Sequence, residues 1–281
     1  MKRPSRLLLC LGLLASAACA APLELLPGPG GRYDLPVEGI QGPGRVMHLS
    51  RADLMGLPHG TVDVSGGFGT RVRSARVVFL ADLLDALALP PGSDLLLARC
   101  SDGYLSVYTF EFIRRYRPFL VLELDGLGPD RWPPPGLAYN PGPNLIGVSD
   151  HVVPGVSALR DIGHKGPWGV VSLTVTSMKQ SFGGFFQGPW ANLGEPARQG
   201  RQIWINSCAS CHPGPAGVTG GTKSGVPFTL PQGIAAADMK FFRQYVRNPT
   251  SLIPGAKMEP HPHYSDTELD QLAAFLGARG P

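Results

Sequence analysis

The sequence predicts an α+β N-terminal domain built on a mixed sheet, joined to an all-α C-terminal domain. Three observations carry this division. Residues 32–178 break into short β-branched and alternating apolar segments separated by Gly- and Pro-rich turns, the pattern of strands. Residues 195–281 instead repeat apolar residues at helical spacing. Between them, residues 179–194 contain Phe182, Phe185, Phe186 and Trp190, too aromatic for a free tether, so this linker is expected to dock.

The chain opens on Lys2, Arg3 and Arg6, followed by an apolar run over residues 7–18 and the small residues Ala18-Cys19-Ala20. A basic flank, a short apolar stretch and a small-residue exit predict a signal peptide over residues 1–20, removed on export to a bacterial periplasm. The run is too short for a membrane span, which needs about 20 residues. Ala17-Ala18-Cys19 offers a second outcome, lipidation at Cys19, which would tether the mature chain to a membrane. The domains expected are therefore 1–20, 21–178, 179–194 and 195–281.

Charge is informative once divided. The formal net charge of +4 includes three basic side chains and no acid in residues 1–20. The remainder is close to neutral, without the broad basic field of a nucleic-acid binder. The chain also holds 37 Gly and 29 Pro, which suits loop-rich domains when 43% of residues are hydrophobic.

In the N-terminal domain, strands are predicted at residues 61–64, 75–79, 94–100, 104–108, 119–124 and 170–175. Short helices are predicted at 51–56, 81–89 and 110–116. His48, His59, His151 and His164 lack metal-ligand spacing and read as loop or surface residues. Arg71, Arg73, Arg76 and Arg114, Arg115, Arg117 form two basic clusters; the second follows an apolar helix and reads as a solvated helix end.

The C-terminal domain carries the clearest chemistry. Cys208-Ala209-Ser210-Cys211-His212 is the Cys-x-x-Cys-His attachment sequence of c-type haem. On a helical turn, residues three apart share a side. Both sulfurs can then reach the vinyl groups of one porphyrin, with the adjacent imidazole free for the iron. A zinc site would need a second ligand pair, and no other Cys pair exists. A helix over 195–207 leads into the motif, with Gly200 and Trp204 on one face. A second is predicted at 237–246, stopped before Pro249. A third starts at the capping-box pattern Ser265-Asp266-Thr267-Glu268 and runs through Leu269, Leu272, Phe275 and Leu276. Gly200 is expected to admit that last helix closely, with Trp204 near Phe275.

With these helices and with Pro254-Gly255-Ala256-Lys257-Met258 before the last one, residues 190–281 resemble a small class I cytochrome c. The resemblance implies one covalent haem c attached at Cys208 and Cys211, with His212 and Met258 as axial ligands. His261 and His263 are the alternatives to Met258, and Met239 reads as a packing residue. It also implies a Pro carbonyl accepting the Nδ1 proton of His212, from Pro227 or Pro231. With both axial positions filled, such a haem relays single electrons.

The N-terminal segments 81–87, Ser101-Asp102-Gly103-Tyr104, Glu123-Leu124-Asp125-Gly126 and Gly142-Pro143-Asn144-Leu145-Ile146 resemble, in order and spacing, the molybdopterin-binding domain of the sulfite oxidase family. That family ligates molybdenum with a Cys in a loop where this chain has Ser65-Gly66-Gly67-Phe68-Gly69. Cys100 lies elsewhere and reads as a buried, inert thiol. The domain is therefore expected to lack molybdopterin and to bind a partner or small anion without catalysis. The alternative is a haem-containing, molybdenum-dependent sulfite dehydrogenase-like oxidoreductase; electron transfer is favoured. The partner expected is a periplasmic redox protein.

Overall fold

The computed structural model describes residues 23–42, 44–67 and 71–278. The expected signal peptide, with Cys10 and Cys19, lies outside these residues, as do Phe68 and Gly69 of the loop after the strand predicted at 61–64.

The N-terminal region contains β1 (Leu35–Glu38), β2 (Val46–Leu49), α1 (Arg51–Gly56), β3 (Gly60–Asp63), β4 (Ser74–Phe79), α2 (Leu80–Ala86), β5 (Leu95–Cys100), β6 (Leu105–Thr109), α3 (Phe110–Tyr116), β7 (Phe119–Leu124), β8 (Asn144–Gly147) and β9 (Trp168–Thr176). The sheet runs β2-β1-β9-β8-β7-β4-β3, with β5 and β6 branching from β9. It is mixed, because β1 pairs with β9 in parallel and the neighbouring pairs are antiparallel. The nine-residue β9 is the spine. It meets β1 at Leu173 and Thr174, β8 near Val170, and β5 from Val170 to Thr176.

Two of the short helices start where side chains cap them, while α2, after Phe79, starts without such a cap. Ser50 accepts a hydrogen bond from the Asp53 amide at the start of α1, and Thr109 from the Phe112 amide at the start of α3. Helix α3 ends on Arg117, in the left-handed region at φ 49°. Arg114 pairs with Asp85 and Arg117 with Asp82, both partly solvated. The basic cluster is thus a helix end on the surface, as its sequence implied.

Alternation along the strands builds three cores, one of which holds Val77, Phe119 and Val121 of β4 and β7. Leu96 and Ala98 of β5 face one core with Leu54, Leu83, Leu84, Ile113 and Leu173. Leu95 and Leu97 face the other way, with Leu105 and Val107 of β6, into a core that also holds Phe182, Phe185, Trp204, Leu272 and Phe275. The sheet and the C-terminal helices therefore share one apolar interior. The linker supplies part of it: α4 (Met178–Phe182) and the turns at Gly183–Phe186 and Gly188–Trp190 fold onto this core. The Arg201 guanidinium donates to the Phe185 carbonyl at 3.0 Å and lies over the Phe186 ring.

The C-terminal helices are α5 (Glu195–Asn206), α6 (Thr229–Ala237), α7 (Met239–Arg247) and α8 (Asp266–Leu276). The capping box at Ser265 and Glu268 is formed. At Gly200, a Cβ would stand 1.9 Å from the Gln271 carbonyl oxygen, so α5 and α8 touch backbone to backbone. Trp204 does not reach α8 by direct ring contact. Its nearest ring is Phe228, at 4.8 Å, which in turn lies 6.4 Å from Phe275. Among the described residues, no helix is long and apolar enough to cross a membrane.

Candidate haem site

The attachment motif begins where α5 stops. Cys208–Ser210 forms a single tight turn. The amides of Cys211 and His212 both donate to the Cys208 carbonyl, at 3.1 and 2.9 Å. One turn of backbone thus carries both thiols and the imidazole. The thiols are unpaired and partly exposed. Burial pushes the Cys208 thiol up to about 12 and raises that of Cys211. Protonated thiols do not suit a thiol–disulfide redox pair, whose nucleophile is the thiolate.

The loop after the motif folds back on it because two glycines allow contact with bare backbone. A Cβ at Gly220 would lie 2.4 Å from the His212 carbonyl oxygen, and one at Gly221 2.1 Å from that of Ser210. The Gly221 amide donates to Ala209 and the Ser224 amide to Cys211. This brings Ser224 Oγ to 3.1 Å from His212 Nδ1. The expected Pro227 or Pro231 carbonyl is therefore replaced by a serine hydroxyl. Pro231 instead lies in the first turn of α6, where a missing N–H costs nothing. If Nδ1 carries the proton and donates to Ser224, Nε2 keeps the free lone pair that a metal needs.

Met258 lies on the loop between α7 and α8. Gly255, at φ 80°, turns the chain there, and Met258 packs half-buried against the helical core while Lys257 and Glu259 are exposed. The alternative ligands have other neighbours. His263 Nε2 lies 3.4 Å from Asp161 Oδ1, and the His261 ring is 5.6 Å from that of His164. Met239 packs against the same helical core.

The residues present fit a haem. Two free thiols and an imidazole on one turn match its donor requirements. The indole nitrogen of Trp204 is buried without a partner from the protein, with its ring 6.0 Å from that of His212. A buried donor left in this way calls for an acceptor that the chain itself does not provide. Among the described residues, no group of three or more His, Cys, Asp and Glu is arranged to hold a bare metal ion.

The N-terminal candidates do not converge on one site. Cys100 is buried at the end of β5, where burial pushes its thiol up to about 12. Arg76 lies near Glu123 and His59, and Arg71 packs against Gly136, away from the end of α3. His48 is a strand residue of β2 and His151 faces Asp63. His164 differs most from the expectation of a loop or surface residue. Its Nδ1 lies 2.6 Å from Tyr104 Oη and its Nε2 2.9 Å from Ser207 Oγ, the residue before Cys208. Burial, and then the neighbouring His261, lower its pKa to about 4, which keeps it neutral. The turn between β5 and β6 meets the haem loop as well. Asp102 pairs with Lys223 at 3.0 Å, and the Gly103 carbonyl accepts from the Thr222 amide. These interface residues come from distant segments and form no local motif.

Residues 195–276 match the family described as cytochrome c oxidase, cbb3-type, subunit III. The C-terminal region is a cytochrome c domain, which implies haem and an electron-carrier role. No curated protein matches the chain. Among solved structures, the sulfane dehydrogenase SoxCD from Paracoccus pantotrophus is 16% identical at a TM-score of 0.34, over 53% of this chain. The match spans 41% of that protein's chain, and a score this low assigns no fold.

Proposed function

We propose that this chain is an exported electron-transfer protein that carries single electrons on one covalently attached haem c. The turn at Cys208–His212 carries the reading, because it sets two unpaired thiols and a Ser224-supported imidazole on one helical turn. When bound, the haem supplies a one-electron Fe(III)/Fe(II) couple. Cys208 and Cys211 hold it through their sulfurs. His212 would offer its Nε2 and Met258 its thioether sulfur to the iron, a donor pair that favours a high potential. His263 is engaged by Asp161 and His261 lies beside His164, which supports Met258 over either. The buried, unpartnered Trp204 indole N–H would be available to donate a hydrogen bond to the bound group.

The N-terminal region, with its sulfite-oxidase-like order of segments, serves as a docking module for a periplasmic redox partner or a small anion. A molybdenum site needs a thiolate, and the only Cys between residues 21 and 207 is Cys100, buried with its thiol held protonated. Purification from the natural host tests both parts. The expected result is one iron per chain, haem that survives acid–acetone extraction, no molybdenum and no sulfite-dependent haem reduction. Extractable haem overturns the covalent site. One molybdenum per haem, with sulfite-dependent reduction, overturns the non-catalytic role.

A further inference from the structure

A short segment of the N-terminal region, residues 160–165, touches the haem domain in two places. At one end Asp161 Oδ1 accepts the hydroxyl of Tyr264 at 2.5 Å and lies 3.4 Å from His263 Nε2. Arg160 pairs with Glu268 in the first turn of α8. At the other end the His164 ring lies 5.6 Å from that of His261, tilted by 32°, and contacts Ser207, next to Cys208. The segment thus spans from the stem of the Met258 loop to the residue before the first haem-attaching cysteine.

That loop has little structure of its own. Its backbone is tied at Ala256, which donates to Ile253, and next at His261, which donates to Val246. Arg247 holds the Tyr264 carbonyl at 2.8 Å from the α7 side. On the opposite side of the stem the buried Tyr264 is held across the domain boundary by Asp161, and within the haem domain by Ser207. The segment is seated on β6 through its last two residues, and the His164 amide donates back to the Asp161 carbonyl at 3.0 Å. Ser106 donates to the His164 carbonyl at 2.7 Å, Tyr108 donates to the Lys165 carbonyl at 3.0 Å, and the Lys165 ammonium donates to the Val107 carbonyl. Asp161 stands in the left-handed region at φ 60°, a conformation that Asp and Asn tolerate and most other residues do not.

We propose that residues 160–165 are a clamp on the axial-ligand loop: Asp161 and Tyr264 are positioning residues through which the N-terminal region keeps Met258 on the haem iron. This rests on Met258 being the ligand. A ligand on an irregular loop is held by the free energy of its loop as well as by its own bond. Tying the stem to a rigid sheet lowers the ordering cost of the ligated state. The N-terminal region then has a role toward the haem that needs no cofactor of its own.

The test uses the full-length, haem-loaded ferric protein titrated with imidazole, following the near-infrared Met–iron charge-transfer band. Asp161→Ala and Tyr264→Phe should lose the band at about tenfold lower imidazole than the parent, the scale of one lost hydrogen bond to a charged group. Asp161→Asn retains an acceptor and the backbone conformation, and should stay within about twofold of the parent. Tyr264→Phe keeps the buried ring, so it folds even where Asp161→Ala does not. A band that titrates alike in the parent, Asp161→Ala and Tyr264→Phe overturns the clamp alone. A parent protein without the band overturns Met258 as ligand, and the clamp with it.

Discussion

His164 Nε2 lies 2.9 Å from Ser207 Oγ, a contact that joins the sheet domain to the residue immediately before Cys208. The imidazole is held between this hydroxyl and that of Tyr104, and its pKa is lowered to about 4. Because the folded value lies below that of an exposed His, the unfolded chain binds the proton first as pH falls. The stabilisation is therefore complete above about pH 6.5 and is lost progressively toward pH 4, by on the order of 3 kcal/mol. His164→Gln keeps hydrogen-bonding capacity without a titrating ring. Its urea midpoint should change less than the parent's between pH 6.5 and 4; identical pH profiles would sink this account.

Gly200 has a second, purely steric consequence. A methyl group there would enter the Gln271 carbonyl and come within 2.8 Å of the Leu272 Cα, and neither is a flexible side-chain end. Gly200→Ala gains helix propensity but forces α5 away from α8, a net loss of about 2–3 kcal/mol. Chemical denaturation of the haem-loaded protein measures it. A variant as stable as the parent would show that the helices part without cost.

The legible parts of this protein were those written in local pattern. The Cys208–His212 motif, the capping box at Ser265 and the strands from β3 to β7 are visible because adjacent residues carry the signal. Strands β1, β2 and β8 were missed: Pro36 interrupts the alternation in β1, and β8 is buried at all four positions and so shows no alternation, whereas the equally short β3 alternates. Helix α6 was missed; it contains Pro231 and Gly233, both weak helix formers, although a first-turn Pro is compatible with a helix. The contacts among Tyr104, Asp161, His164, Ser207 and Tyr264 were illegible for a different reason. They join four distant segments, and no periodicity within one segment encodes a pairing across a domain boundary.

Lys165 is a buried cation whose ammonium meets the Val107 carbonyl and lies near the rings of Tyr108 and Phe112. Burial lowers its pKa to about 8, with Asp161 opposing. The unfolded chain holds this proton up to its ordinary value of 10.5, so stability rises as pH increases from 8 and the native amine becomes neutral. Below pH 8 the penalty is constant. Lys165→Met preserves length and removes the charge. Its stability relative to the parent should fall by roughly 2 kcal/mol between pH 8 and 10, as the parent sheds its penalty. Parallel pH profiles from denaturant melts would contradict a strained ammonium at this position.

Phe185 bears on whether the two regions melt together. It is fully buried, with the rings of Trp190, Phe228 and Phe275 at 5.6, 5.7 and 5.0 Å. Its core also contains Leu95, Leu97, Leu105 and Val107 from the sheet. A shared interior couples the halves, so Soret absorbance and far-ultraviolet circular dichroism should report one coincident transition in the parent. Phe185→Ala opens a cavity where the linker meets α8, costing about 3–5 kcal/mol, or roughly 10 °C in melting temperature. The loss falls on the helical side of the interface, because the neighbouring rings all belong to the linker, to α8 and to the segment before α6. The Soret transition should therefore move to lower temperature than the sheet signal. If both probes instead shift together by the same amount, the two regions form a single cooperative unit whose coupling does not run through Phe185.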